Sequence, residues 1–288
     1  MSETTTTAPK MSMDDWKKMK DQQRADTIEL LNKATQDIVD NPGFFETYLN
    51  TQARMDRYTV SNALLIAAQL PDATKLRTFS EWEKDGASVL KGNKSISIIE
   101  PSTFTKKDGS TATSFNVKKV FDISQTSKAS EVKQYPPIDI KRLIAVMLDN
   151  CPSKVDLANE IPVQGTAAYY DKDRDTLFVQ KEGGDAAYVC QCVARELGQR
   201  EAAQKDPDYS RNTSFPDAAI AGYLVCRKYG APTDVLDISR ASTKYKGMSP
   251  KEIRADLKKI CSYAGEIKSR MNDQIYQTKQ PRPKTNER

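Results

Sequence analysis

The sequence predicts an α+β protein of two domains. Three observations carry that reading. Apolar residues recur at helical spacing in successive N-terminal segments, and two β-rich runs then flank a tight turn. A polar, Pro-terminated stretch separates these from a second set of helices that a smaller hairpin interrupts. A chain of 288 residues has room for two ordinary domains. The expected division is a disordered N-terminus over 1–22, a first domain over 23–127, a linker over 128–137, a second domain over 138–278 and a basic tail over 279–288.

The Thr-rich, charged residues 1–22 have too few apolar side chains to predict order. From Ala25 to Asp40, Ile28, Leu31, Thr35 and Ile38 recur at helical spacing, and Asn41-Pro42-Gly43 ends the segment. A second helix runs through Phe44, Phe45, Tyr48 and Leu49. Thr59 can cap a third, VSNALLIAAQL, and Thr78–Asp85 reads as a short helix carrying Trp82 and closed by Gly86. SISIIE (95–100) and SFNVKKVF (114–121) are β-rich and flank KKDG (106–109), a hairpin signal. SKASEVKQYPP (127–137) suits a linker. Beyond it, DIKRLIAVMLDN reads as a helix and AYYDKDRDTLFVQ as a second hairpin turning through 171–175. In the helix expected over Gly184–Gln204, Val189, Val193 and Leu197 fall one turn apart and face the core. Pro216–Tyr229 is a further helix with Gly230 just past its end. Ser249-Pro250-Lys251-Glu252 opens the last helix with an N-cap serine, a proline at the first position and a capping-box glutamate.

Composition narrows the chemistry. Hydrophobic residues make up 38% and charged residues 29% of the chain, which suits a soluble protein with a modest core. No run of 18 apolar residues occurs, so no membrane span is expected. The polar N-terminus has no apolar signal core, and the cytoplasm is the expected location. Five scattered cysteines (Cys151, Cys190, Cys192, Cys226, Cys261) read as free, mostly buried thiols. The absence of histidine removes Ser-His and Cys-His nucleophile pairs, His-ligated zinc and imidazole acid–base chemistry. The net charge of +5 is uneven: residues 241–288 hold 12 Lys and Arg against 5 Asp and Glu, a net +7 that leaves −2 for the rest. Acidic partners, nucleic acid among them, fit this balance without being demanded by it.

One segment concentrates positive charge beside rings. From Gly86 to Val120, Lys91, Lys94, Lys106, Lys107, Lys118 and Lys119 face only Glu100 and Asp108, with Trp82, Phe104 and Phe115 interleaved or adjacent. Lysines that neutralise phosphates beside rings that stack on bases suit single-stranded nucleic acid. The same residues also suit a solvated hairpin face and core rings. Lys118 and Lys119 are adjacent, so a strand points them to opposite faces. Lys91 and Lys94, in a loop, are the better placed pair. Asn62 can hydrogen-bond a base or cap local backbone.

Two stretches carry a family resemblance. Tyr58, Ser61, Asn62, Trp82, Gly86, Lys91, Gly92, Pro101, Phe121, Asp122, Gln125 and Thr126 stand in the order seen in the N-terminal single-stranded-DNA-binding domain of ArdC-type antirestriction proteins and their LtrC-like relatives. The C-terminal half resembles the zincin-like metallopeptidase domain of such proteins, through Ala167-Ala168-Tyr169-Tyr170 before a hairpin, the helix around Glu196, and AGYLVCRKYG (221–230). The resemblance implies His-Glu-x-x-His on that helix and an acidic third ligand on the next. Here Arg195 and Gln199 stand at the histidine positions and Ala219 at the third, and only Glu196, the would-be general base, is kept.

Arginine has no lone pair to give a metal and stays protonated, a carboxamide oxygen is a poor zinc ligand, and alanine has no donor. The expectation is therefore a non-catalytic chain with no metal and no cofactor. Its implied partner is single-stranded DNA, held through Tyr58, Asn62, Trp82, Lys91, Lys94, Phe104, Lys106, Lys107 and Lys118, as for a bacterial mobile element escaping restriction. Arg195 is expected to supply the missing positive charge by pairing with Glu196 or Asp217. Two other classes stay open. The second domain can be a peptidase-derived module that holds a protein partner, or an enzyme using Glu196, Tyr169, Tyr170 or Cys192 without metal.

Overall fold

Ser12 opens the first helix, α1 (Met13–Asp40), by accepting from the Asp15 amide at 3.1 Å, with Asp14 and Asp15 in the first turn where the helix dipole favours acids. The computed structural model describes residues 12–105, 108–131, 138–182 and 184–277. The helix thus covers residues 13–22, where the composition predicts disorder: the cap and first-turn acids stabilise a turn that has no apolar stripe. Residues 1–11 lie outside the described residues. Pro42 then starts α2 (Pro42–Arg54), and the Thr59 hydroxyl caps α3 (Val60–Gln69) as its sequence predicts.

After the short strand β1 (Leu76–Arg77), Thr78 and Glu81 form a capping box on α4 (Phe79–Lys84). The first hairpin is longer than its β-rich runs. β2 (Ile96–Thr105) and β3 (Thr111–Asp122) pair antiparallel from Ile96↔Val120 out to Thr105↔Thr111, and β1 adds to the far side of β3. Two 3₁₀ turns follow, at Ile123–Gln125 and Ala129–Glu131, so the first residues of the expected linker are folded. Residues 132–137 lie outside the described residues.

The second half opens with α5 (Ile140–Asp149). Its sheet has three strands where the hairpin pattern shows two. β4 (Lys154–Ala158) joins β5 (Ala168–Asp171) and β6 (Thr176–Gln180) in the order β4-β6-β5, with β4 parallel to β6 and β5 antiparallel to it. Lys-Val-Asp-Leu-Ala alternates as a strand should, but with Leu157 outermost it lacks the apolar run that marks a buried one. α6 (Ala186–Lys205) packs on this sheet, and α7 (Arg211–Lys228) packs antiparallel against α6. α7 begins five residues before the expected Pro216, because Ser210 caps it and Pro216 sits inside the second turn. A short helix, α8 (Ser239–Thr243), precedes α9 (Pro250–Gln277). Residues 278–288, including the basic tail, lie outside the described residues.

The expected border between domains does not separate two cores. Leu31, Ile38, Phe45, Tyr48, Leu49 and Leu64 from the first half share one apolar cluster with Leu143, Val193, Leu224, Leu257 and Ile267 from the second. Two smaller clusters hold the first hairpin, one of Ile66, Ile96, Ile98 and Val120, the other around Trp82, Ala87 and Ile123. Asp56, salt-bridged to both Lys228 (3.0 Å) and Lys268 (3.2 Å), adds a polar tie between the halves.

Candidate functional site

The Asp122-Ile-Ser-Gln-Thr126 stretch organises the cationic loops of the first half. Asp122 is fully buried, and its carboxylate accepts from the Thr74 and Lys75 amides at 2.7 and 2.8 Å and from the Ser124 amide at 3.0 Å. That fixes the turn leading to Lys75 and Arg77. Gln125 donates to the Lys94 carbonyl at 2.9 Å, while the Leu90 amide donates to the Gln125 carbonyl at 2.9 Å. That fixes the loop from Leu90 to Lys94, whose Gly92 has φ +91°, a conformation a side chain disfavours. Lys91 and Lys94 are both exposed on this loop, with no acidic ion-pair partner among the described residues.

The other sequence-predicted residues scatter along the hairpin. Trp82 is a correction: its ring is fully buried, its Nε1 donates to the Phe121 carbonyl at 2.9 Å, and it cannot stack on a base. Lys75 Nζ lies 5.3 Å and the Arg77 guanidinium 5.4 Å from its ring centroid, so the ring positions cations instead. Asn62 is a second correction. Its amide nitrogen donates to the Ile99 carbonyl and its oxygen accepts from the Ile99 amide, both at 2.9 Å, and the residue is buried, so the carboxamide serves the β2 edge and not a base. Lys118 is paired with Glu100 at 2.9 Å, and that hydrogen bond raises its ammonium pKa. Tyr58 is half-buried at the edge of the Ile66 cluster, and burial raises its phenol pKa. Phe104 is 50% exposed near the hairpin's far end, opposite Ala112, about 30 Å along the strand from Lys94 at ~3.3 Å per residue. Lys106 and Lys107 lie outside the described residues. The predicted residues therefore form an extended track, not one groove. Sequence reading misses Phe79, 50% exposed and edge-on to Phe121 at 6.5 Å, and misses Lys75 and Arg77. The Thr78–Glu81 capping box is the available signal for Phe79.

In the second half the chemistry centres on Glu196. Its side chain is 0% exposed. Its carboxylate accepts from Arg211 Nη2 at 2.8 Å on both oxygens, from Arg195 Nε at 3.2 Å, and from the Tyr170 amide at 3.0 Å. Arg195 also donates to Thr166 Oγ1 at 2.9 Å and lies over the Phe215 ring at 5.1 Å. Arg211 donates to the Tyr170 carbonyl at 3.2 Å and stacks on Tyr169 at 4.2 Å. The expected Arg195–Glu196 pair is present. Asp217 has other partners, Lys244 and Lys259, so that alternative is corrected. Arg211 escapes sequence reading because it lies ahead of Pro216, where the helix is expected to start.

Gln199 is fully buried: its oxygen accepts from the Tyr209 hydroxyl at 3.0 Å and its nitrogen donates to the Arg211 carbonyl at 3.2 Å. Ala219 is buried with no donor. α6 and α7 touch through glycines: a Cβ on Gly198 would meet the Ala218 carbonyl oxygen at 2.8 Å, and one on Gly222 would meet the Arg195 nitrogen at 2.9 Å. This close approach brings the Arg211 end of α7 to Glu196.

Two strand edges are closed by side chains. On β5, the Thr166 hydroxyl donates to the Ala168 carbonyl at 2.9 Å and accepts from its amide at 3.4 Å, and the Glu196–Arg211 pair takes both groups of Tyr170. On β2, Gln69 bonds the amide and carbonyl of Ser97, Asn62 does the same for Ile99, and Pro101 has no N–H. Tyr169 and Tyr170 therefore serve the edge, and the Tyr170 hydroxyl donates to Asp175 at 2.7 Å. Cys192 is fully buried.

Residues 18–138 match the family model described as the N-terminal domain of the anti-restriction factor ArdC. Two solved structures resemble most of the chain, the metal-free and Mn(II)-bound crystal structures of the antirestriction protein ArdC from the R388 plasmid. Each has a TM-score of 0.60 at 14% identity, covering 85% and 86% of this chain respectively and 98% of theirs. No curated protein matches the chain. Mn(II) in one of those structures raises the question of whether a divalent ion suits the residues here. A guanidinium, a carboxamide already bonded on both sides and a methyl group do not fit one, and the one carboxylate is taken by two arginines. Among the described residues no three Cys, Asp or Glu gather as a metal site elsewhere. Residues 18–138 thus resemble the N-terminal domain of ArdC, within a fold like that of the R388 plasmid's antirestriction protein.

Proposed function

We propose that the protein binds single-stranded DNA without catalysis, in an antirestriction-like role for a mobile element, and that its second half is a zincin-like domain converted to a structural one. The observation that carries the non-catalytic reading is the saturation of Glu196. A general base must reach a water or substrate proton, and this carboxylate is fully buried with its oxygens occupied by two guanidiniums and an amide. The binding reading is supported by the ArdC-type match over 18–138 and by exposed cations and rings along the hairpin: Lys91, Lys94, Phe79 and Phe104. Lysines on such a track neutralise phosphates, and rings stack on bases of any sequence.

The peptide-holding alternative is disfavoured by the β5 edge, because an extended partner pairs through the same Ala168 and Tyr170 groups that Thr166, Glu196 and Arg211 occupy. The test is a fluorescence anisotropy titration with single-stranded and duplex oligonucleotides of equal length. Preference for the single strand, weakening steeply with salt, is expected; equal or absent binding would overturn the reading.

A further inference from the structure

The β5 and β2 edges are closed by side chains, but the β4 edge is not. The Lys154 amide donates to Asp175 and the Ala158 carbonyl accepts from Lys181, so Lys154, Asp156 and Ala158 turn their backbone toward β6. Val155 and Leu157 turn theirs outward, and no hydrogen bond to those groups is present among the described residues. Leu157 is also 55% exposed and pairs in register with buried Val179. It lines a groove of about 260 Å³ of mixed polarity, with Ile144, Leu148, Val179 and Val189 and with Lys141, Lys181 and Glu182. An open edge beside exposed apolar surface is a template for strand addition.

We propose that this edge takes the β4 strand of a second copy of the chain, antiparallel and about a two-fold axis at Val155. The sequence of the strand selects this occupant and this register. With Val155 opposite Val155, each Lys154 faces the other copy's Asp156, giving opposite charges in both pairs, and Leu157 faces Ser153. A two-fold at Asp156 would oppose two carboxylates and would use backbone groups already bonded to β6. At Val155 the outward amide and carbonyl of each copy satisfy those of the other, joining two three-stranded sheets into one of six. On the helix-facing side, Leu157 and Val155 of both copies form one stripe beside the two grooves. The contact is symmetric and closes on itself, as a two-fold interface must.

Sedimentation velocity on the full chain tests this, over loading concentrations of roughly 1 to 100 µM, the range in which a small interface associates. A concentration-dependent species of twice the chain mass is expected. Lys154→Asp opposes like charges twice and is expected to weaken association at least tenfold. Adding Asp156→Lys restores opposite pairs and is expected to recover it. Leu157→Glu is expected to abolish it, with circular dichroism unchanged because the residue is exposed. A monomer throughout would overturn the proposal, as would a dimer indifferent to Leu157→Glu. A dimer that Lys154→Asp weakens and the charge swap fails to restore would refute the register.

Discussion

Replacing Arg211 with alanine tests how the Glu196 site is held together. The substitution removes two 2.8 Å charge-assisted bonds to a carboxylate with no solvent exposure, one bond to the Tyr170 carbonyl and the stack on Tyr169. Breaking a buried ion pair from one side costs about 3–5 kcal/mol, because the remaining charge is stranded. Arg195 stays beside Glu196 with one 3.2 Å bond, which places the expected loss at the lower end, about 3 kcal/mol. At about 2 °C per kcal/mol for a chain of this size, the melting temperature is expected to fall by roughly 6 °C. Glu196→Gln combined with Arg211→Ala removes the stranded charge, and the double variant is expected to recover at least about 1 kcal/mol of that loss. Urea unfolding followed by circular dichroism measures all three. An Arg211→Ala variant within about 0.5 kcal/mol of the parent would refute the reasoning, since that is the range of unremarkable surface changes.

Other expectations follow from the same geometry. Gly222→Ala places a methyl 2.9 Å from the Arg195 nitrogen, a backbone atom that cannot swing away, and should cost about 1–3 kcal/mol by the same assay. Asn62→Ala strands the amide and carbonyl of Ile99 at the β2 edge, for about 1–3 kcal/mol, and hydrogen exchange at that amide should accelerate before exchange elsewhere in the hairpin. Burial alone would raise the Asp56 carboxyl pKa, but Lys268 and Lys228 outweigh it and hold it below the ordinary carboxylate value. The stability it contributes is therefore fully present above that ordinary value and lost as pH falls through the folded one. Asp56→Asn should flatten this part of an acid unfolding profile, and an unchanged profile would show that the tie between the halves carries nothing.

Much of the fold is legible in the sequence because its signals are local. Thr59 and Ser249 cap helices where the sequence places them, and Gly86 (φ +71°) and Gly230 (φ +75°) end theirs. What stays hidden depends on long-range partners. Asn62 reads equally as a base contact or a cap until β2 is seen lying against α3, 37 residues on. Trp82 beside lysines suggests a stacking ring, yet burial turns it into a support for Lys75 and Arg77. β4 escapes notice because its alternation is short, with Val155 and Leu157 the only large apolar residues, and no apolar run sets it apart from a loop. At the second site, the lack of metal-donor side chains at Arg195 and Ala219, and the weak one at Gln199, can be read from the sequence directly. The residue that neutralises Glu196 cannot, since Arg211 lies 15 positions away across a helix boundary.

In the proposed function a single strand is held by the cationic loop and hairpin of the first half. The most direct measurement is the salt dependence of single-stranded oligonucleotide binding by the parent and by the Lys91→Glu, Lys94→Glu double variant. Each phosphate that is no longer neutralised lowers the slope of log affinity against log salt by about 0.7 for single strands, so the double variant should bind more weakly with a slope smaller by about 1.4. Equal affinity and equal slope in the two proteins would contradict the placement of the strand on this loop.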